Sequence, residues 1–168
     1  SPETLPVSLI DNQYIRQIDS LLLDGIGQKA YPGCQVLAMK DGKIIFEYDI
    51  PRLGKRVDVV LLLGGIVFCL EFKVGQSSII EADVDQVLDY ALDLKNFHKF
   101  SQDNLIVPIL VATNYRNSST EIRMSVYDDR VVNPLVTGEA GISNLISKIL
   151  EKYPNEPEVN SDWIISPY

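Results

Sequence analysis

The sequence predicts an α/β (α+β) domain in which a mixed central sheet is flanked by helices. Three features carry that reading. Two β-rich runs are joined by Gly64-Gly65, a long amphipathic stretch covers 81–100, and a near-continuous apolar run covers 105–112. A two-residue Gly-Gly link between β-rich runs marks a hairpin, because a type I′ turn needs two positive φ angles. A near-continuous apolar run is typical of a buried central strand, and the order helix, three strands, helix, strand, then an extra strand and helix implies a mixed sheet flanked by helices.

Along the chain, residues 1–11 hold Pro2 and Pro6 and read as a flexible lead. From 12 to 24, Ile15, Ile18, Leu21 and Leu22 fall at helical spacing, and Gly25 and Gly27 close the helix. Residues 31–40 are ambiguous: Pro32 suits a first helical turn, whereas Gly33 and the Asp41-Gly42 pair suit a strand and hairpin. Residues 44–50, 57–63 and 66–73 read as strands. In the helix at 81–100, Val84, Val87, Leu88, Ala91 and Leu92 form the apolar face. Residues 105–112 read as a buried strand, 123–127 as a short one, and 131–136 as another that Pro134 weakens. Ile142, Leu145, Ile146, Ile149 and Leu150 face inward on a helix over 142–153. Residues 154–168, with three prolines and several acids, read as a linker, so that 12–153 forms one domain. The chain opens on Ser1 and is expected to be part of a longer protein.

Composition excludes several functions. The chain has 168 residues with 46% hydrophobic and 23% charged, an ordinary globular balance rather than a disordered one. No apolar run reaches the length of about 20 residues that a membrane span needs. One histidine, His98, argues against His-rich zinc sites and Ser-His-Asp triads. His98 itself is expected to act as a charge partner at a helix C-terminus. No GxxxxGK[ST] occurs, so the chain by itself is no P-loop ATPase. A net charge of −8 is unlike a uniformly basic nucleic-acid binder. Cys34 and Cys69 form no CxxC and read as free buried thiols, as expected in the cytoplasm.

The chemistry concentrates on the hairpin. A Gly64-Gly65 turn pairs Leu63 with Ile66, and the same register sets Asp58 opposite Glu71. Alternation puts Asp58, Val60 and Leu62 on one face with Glu71, Cys69 and Val67, and Lys73 continues that face. Like charges directly opposite destabilise a sheet. Apolar surroundings sharpen the repulsion, and a hard divalent cation such as Mg²⁺ or Mn²⁺ would relieve it. On the helix that follows, Gln86 and Tyr90 lie four apart on one face. Asp83, Asp93 and Phe97 continue their stripe, away from the Val84/Leu88 face.

The order of strand with Asp, hairpin, Glu-x-Lys, then helix with Gln-xxx-Tyr resembles the PD-(D/E)xK nuclease superfamily in its RecB-like branch. The carrying strings are RVDVVLLLGGIVFCLEFKVG and DQVLDYALDLKNFH. The wider stretch, from EYDIPRLGKRVDVVLLL through LKNFHKF to LIVPILVATNY, is similar to the N-terminal nuclease-like domain of a bacterial family. There it precedes a Schlafen-group-like P-loop helicase/ATPase domain, and DWIISPY resembles the junction. The resemblance implies a restriction-endonuclease-like αβββαβ core and metal-dependent phosphodiester hydrolysis, on DNA ahead of RNA. It further implies an ATPase/helicase domain in cis.

Carried over, Asp58 and Glu71 are metal ligands, with the backbone carbonyl of Phe72 as a third. Lys73 orients the attacking water, and Gln86 and Tyr90 line the active site. Active members often carry a further acid on the first core helix. Here Asp19, Asp24 or Glu47 would have to serve, or that position is not acidic. Arg52, Lys55 and Arg56 before Asp58, with Lys95 and Lys99 at the end of the helix, are expected to form a phosphate-binding rim. Tyr90 and Phe97 are candidates for base stacking, with core packing favoured for Phe97. The alternative is a non-catalytic nucleic-acid- or partner-binding module that keeps the nuclease fold.

Overall fold

A computed structural model describes the backbone of residues 27–31 and 34–39 and all atoms of 42–128 and 130–168. The helix expected over 12–24, the acids Asp19 and Asp24 and the Cys34 side chain lie outside the described residues. The strands are β1 (Gly27–Tyr31), β2 (Cys34–Met39), β3 (Gly42–Ile50), β4 (Lys55–Leu63), β5 (Ile66–Lys73), β6 (Leu105–Ala112) and β7 (Leu135–Thr137). The α-helices among the described residues are α1 (Glu81–Phe97) and α2 (Ile142–Lys152).

The seven strands form one mixed sheet in sequence order. β1 to β5 run as an antiparallel meander, and β6 and β7 add in parallel. The parallel step from β5 to β6 needs a crossover, which α1 supplies. Of the ambiguous segment 31–40, the described residues are strand: Tyr31 ends β1 and Cys34–Met39 is β2. The expected strand at 123–127 reduces to a single bridge, Met124 to Val132, and regular pairing near 131–136 is confined to β7. Pro134 has no N–H to give a ladder, which accounts for the late start.

Each face of the sheet has its own core. On one side Ile44, Leu61, Phe68 and Val107 pack under Ile142, Leu145, Ile146 and Ile149 of α2. On the other, Ile45, Val60, Leu62, Val67 and Cys69 pack under Val87, Tyr90, Ala91 and Leu94 of α1. Val84, Leu88 and Leu92 are only partly buried there. The buried stripe of α1 is therefore rotated from the expected Val84/Leu88 face toward Tyr90, whose ring fills core space while its hydroxyl stays near polar groups.

Residues 154–168 are not a free linker. They form a strap across the α1 side, anchored by Trp163, which is 1% exposed. The Trp163 indole N–H donates to Ser101 Oγ at 2.8 Å, and its ring stacks beside Tyr48 and His98 with centroids 4.8 and 4.5 Å away. Lys99 N–H donates to the Pro167 carbonyl, and Phe100 N–H to Ser166 Oγ. Prolines and acids read as linker by composition, but one buried tryptophan outweighs them, because burying it removes a large apolar area from water.

Candidate active site

Gly64 and Gly65 have φ of 59° and 78°, as a type I′ turn requires. The ladder beyond them runs from Leu63–Ile66 to Val59–Leu70, in the expected register, and stops there. Asp58 and Glu71, which the turn register would pair next, lie just past the end of the ladder with their carboxyl groups close together. Here Asp58 Oδ2 accepts the Phe72 N–H at 2.8 Å. The carboxylate thus takes a strand N–H that has left the ladder.

The same residue lies at a fault in the β3–β4 ladder. Pairing runs regularly to Phe46–Val59 and resumes at Tyr48–Val57, leaving Glu47 and Asp58 unpaired. Phe46 and Val59 point into the α2 core, whereas Tyr48 and Val57 point into the α1 core. Residues two apart in a regular strand share a face, so the ribbon turns over at this step. Glu47 absorbs the turn with a φ of 54°, uncommon for a residue with a side chain. The fault frees Asp58 from both neighbouring strands at the open end of the hairpin. Glu47 itself is exposed.

Glu71 is buried, 7% exposed, with Oε2 lacking a hydrogen-bond partner. Burial first, then the charge of Asp58 and a hydrogen bond to it, push the Glu71 carboxyl up to about 8; Lys73 pulls weakly the other way. Lys73 Nζ lies 4.0 Å from Glu71 Oε1 and 3.7 Å from Asp83 Oδ1. Tyr90 is buried beneath α1, and its hydroxyl is pushed up by burial and then by the charges of Glu71 and Asp58. Gln86 and Tyr90 line a groove of 260 Å³ together with Leu53, Lys55, Ala82, Asp85 and Asp89. A larger space of 490 Å³ opens at the closed end of the hairpin, between Gly64-Gly65 and the strap. It lies roughly 20 Å along β4 from Asp58, away from the carboxylates.

Asp58, Glu71, Lys73 and Tyr90 are thus brought into one electrostatic neighbourhood, with Gln86 and Lys55 in the adjoining groove. The expected basic rim assembles only in part. Lys55 and Arg56 are exposed on β4. Arg52 donates to Asp93 Oδ2 at 3.3 Å and lies 3.5 Å above the Phe97 ring. Lys95 leaves the rim: it is buried, and its ammonium donates to the carbonyls of Ser101, Gln102 and Asn104. A buried ammonium needs such acceptors, and the tight turn after α1 presents three. Lys99 is exposed beyond the end of α1, which lies roughly 16 Å along the helix from Gln86.

The roles expected of two ring residues also change. Phe97 is 41% exposed beneath Arg52 rather than in the core. His98 is fully buried, hydrogen-bonded to Tyr48 Oη and Ser101 Oγ, and burial lowers it to about 4. It is a neutral core residue, not a helix-end charge.

The residue given no role beforehand is Asp83. Its signal was its spacing, three before Gln86 and seven before Tyr90, on the same helical face.

Two neighbouring carboxylates, one with an orphaned buried oxygen, suit a hard cation, and the Phe72 N–H donates to the other. Among the described residues, no group of three or more His, Cys, Asp or Glu side chains gathers to hold a metal, so side chains supply two donors. Compared with protein-family models, with curated proteins and with solved structures, the chain finds no match.

Proposed function

We propose that this chain is a metal-dependent nuclease domain with a restriction-endonuclease-like core, acting on DNA ahead of RNA and working in cis with an ATPase/helicase domain. The observation that carries the reading is the proximity of the Asp58 and Glu71 carboxyl groups at the open end of the hairpin, with Lys73 beside Glu71. Nothing in the packing of a sheet calls for two acids there, and burying Glu71 beside a second carboxylate costs stability. A cation offsets that cost.

Asp58 and Glu71, with the Phe72 carbonyl, would hold Mg²⁺ or Mn²⁺. When bound, the ion lowers the pKa of a coordinated water and polarises a phosphate. Lys73 contributes a fixed positive charge where negative charge develops on the phosphate. Asp58 is oriented by the Phe72 N–H, so one ligand is set before any ion arrives. Tyr90, buried and within electrostatic reach of Glu71 and Asp58, would stand at the inner side of the site. Gln86 and Lys55 line the groove by which a strand would approach.

The test is cleavage of single- and double-stranded DNA and RNA with Mg²⁺ or Mn²⁺. Asp58→Ala and Lys73→Ala should each abolish cleavage while keeping a cooperative melt. Unchanged cleavage by both variants would sink the assignment.

A second reading, the non-catalytic module, draws support from Asp85 and Asp89. Both line the groove with Lys55 as its one basic residue, a poor lining for a phosphate backbone. Binding of nucleic acid without cleavage in any metal would favour it.

A further inference from the structure

Lys73 is held from two sides, and neither hold is close. Its ammonium stands 4.0 Å from Glu71 Oε1 and 3.7 Å from Asp83 Oδ1. Glu71 Oε2 and Asp83 Oδ2 are both buried without a hydrogen-bond partner. One ammonium thus serves a buried carboxylate, Glu71, and a half-buried one, Asp83, which come from different elements, β5 and the first turn of α1. The loop between them is tied down: Gly75 N–H donates to Thr113 Oγ1 at 2.7 Å, and the Asn114 side chain donates to the Gly75 carbonyl. Asp83 therefore keeps a set position relative to Lys73.

This sharing matters when Glu71 acquires another partner. A divalent cation on Asp58 and Glu71 satisfies Glu71 and repels the ammonium beside it. An ammonium left near a dication with no carboxylate of its own is driven into solvent or competes for Glu71. Asp83, 3.7 Å away and coming from α1 rather than from the hairpin, offers it a second counter-charge. We infer that Asp83 is a positioning residue for Lys73, holding its ammonium at the site when Glu71 is given over to a cation. The inference rests on the metal-site reading above. Asp83 touches no metal ligand in this scheme; it acts through Lys73, and it lowers the competition between Lys73 and the cation.

The experiment is a double-mutant cycle on Mn²⁺ affinity, read by the electron paramagnetic resonance signal of free Mn²⁺, with the 168-residue chain and no nucleic acid. Asp83→Asn should weaken Mn²⁺ binding about tenfold, because Lys73 then pairs with Glu71 alone. Lys73→Met should strengthen it. In the Lys73→Met background, Asp83→Asn should cost no more than about twofold. Asp83→Glu should bind within about threefold of wild type, which separates a charge role from a fold defect.

An equal tenfold loss in both backgrounds would overturn the inference, since Asp83 would then act as a plain field charge on the cation. No effect of Asp83→Asn in the wild-type background would overturn it as well. Absence of Mn²⁺ binding by folded wild-type protein would instead overturn the metal-site reading, and the inference with it.

Discussion

Removing the metal and changing the pH should make Glu71 visible as a stability defect. In chelator, Glu71 is folded with its carboxyl raised to about 8, against an ordinary value of 4.5. A raised carboxyl binds its proton more tightly in the folded state than in the unfolded one. Stability is therefore gained as pH falls through the folded value toward the unfolded value, and lost as pH rises through the same window. Between pH 8.5 and 6.5 only the upper part of that shift is drawn on, about 1.5 units or about 2 kcal/mol at 1.36 kcal/mol per unit. Screening at the open mouth of the hairpin reduces this to about 1–2 kcal/mol.

For a chain of this length that is a rise in Tm of about 2–8 °C on acidification. The assay is thermal melting in EDTA at the two pH values, wild type beside Glu71→Gln. Glutamine cannot titrate, so the difference between the two proteins isolates Glu71 from Lys95 and His98, whose own shifts cancel. Glu71→Gln should be the more stable protein at pH 8.5, and the gap should close by pH 6.5. A gap that stays constant, or that has the opposite sign, would refute the claim that burial, aided by the charge of Asp58, disfavours an ionised Glu71 in the empty site.

Other outcomes follow from the same geometry. His98, lowered to about 4 from 6.5 by burial, should contribute stability that is complete above pH 6.5 and is lost as pH falls toward 4. The loss amounts to about 3 kcal/mol, measurable by urea denaturation of wild type against His98→Asn. Trp163→Ala should cost about 3–5 kcal/mol through lost packing and an empty space beside Tyr48, read by denaturation midpoints. Lys95→Met should cost about 2–4 kcal/mol, because it orphans three carbonyls, yet should leave nucleic-acid affinity unchanged.

The hairpin was the most legible part of the molecule, since two adjacent glycines set both the turn and the register. The pairs from Leu63–Ile66 to Val59–Leu70 could be counted from the sequence, whereas the end of the ladder one step before Asp58 and Glu71 could not. The helix α1 was legible as an element, but its rotation was not. Val84 and Leu88 look as apolar as Leu94, and only the position of the sheet decides that Tyr90 goes inside. The strap was misread because composition averages over fifteen positions, whereas Trp163 alone sets its path. Lys95 was misplaced for a related reason: a lysine on a helix is ordinarily solvated, and three waiting carbonyls are a property of the turn after it. The fault at Glu47 left no mark in the sequence, because a left-handed glutamate looks like any other.

The strap also has a kinetic meaning. Tyr48 Oη donates to the carbonyl of Ile164, 116 residues later, and the His98 pocket is closed by Trp163 from the same segment. β3, which sets up the fault that frees Asp58, is therefore pinned by residues far along the chain. Contacts of such sequence separation form late, because loop closure must precede them. Early in folding the hairpin can zip from Gly64-Gly65 outward, burying its apolar pairs, while its acidic end stays open and hydrated. The two carboxylates then meet only after the rest of the sheet is in place, so the costliest electrostatic step is taken when the most packing energy is already available to offset it.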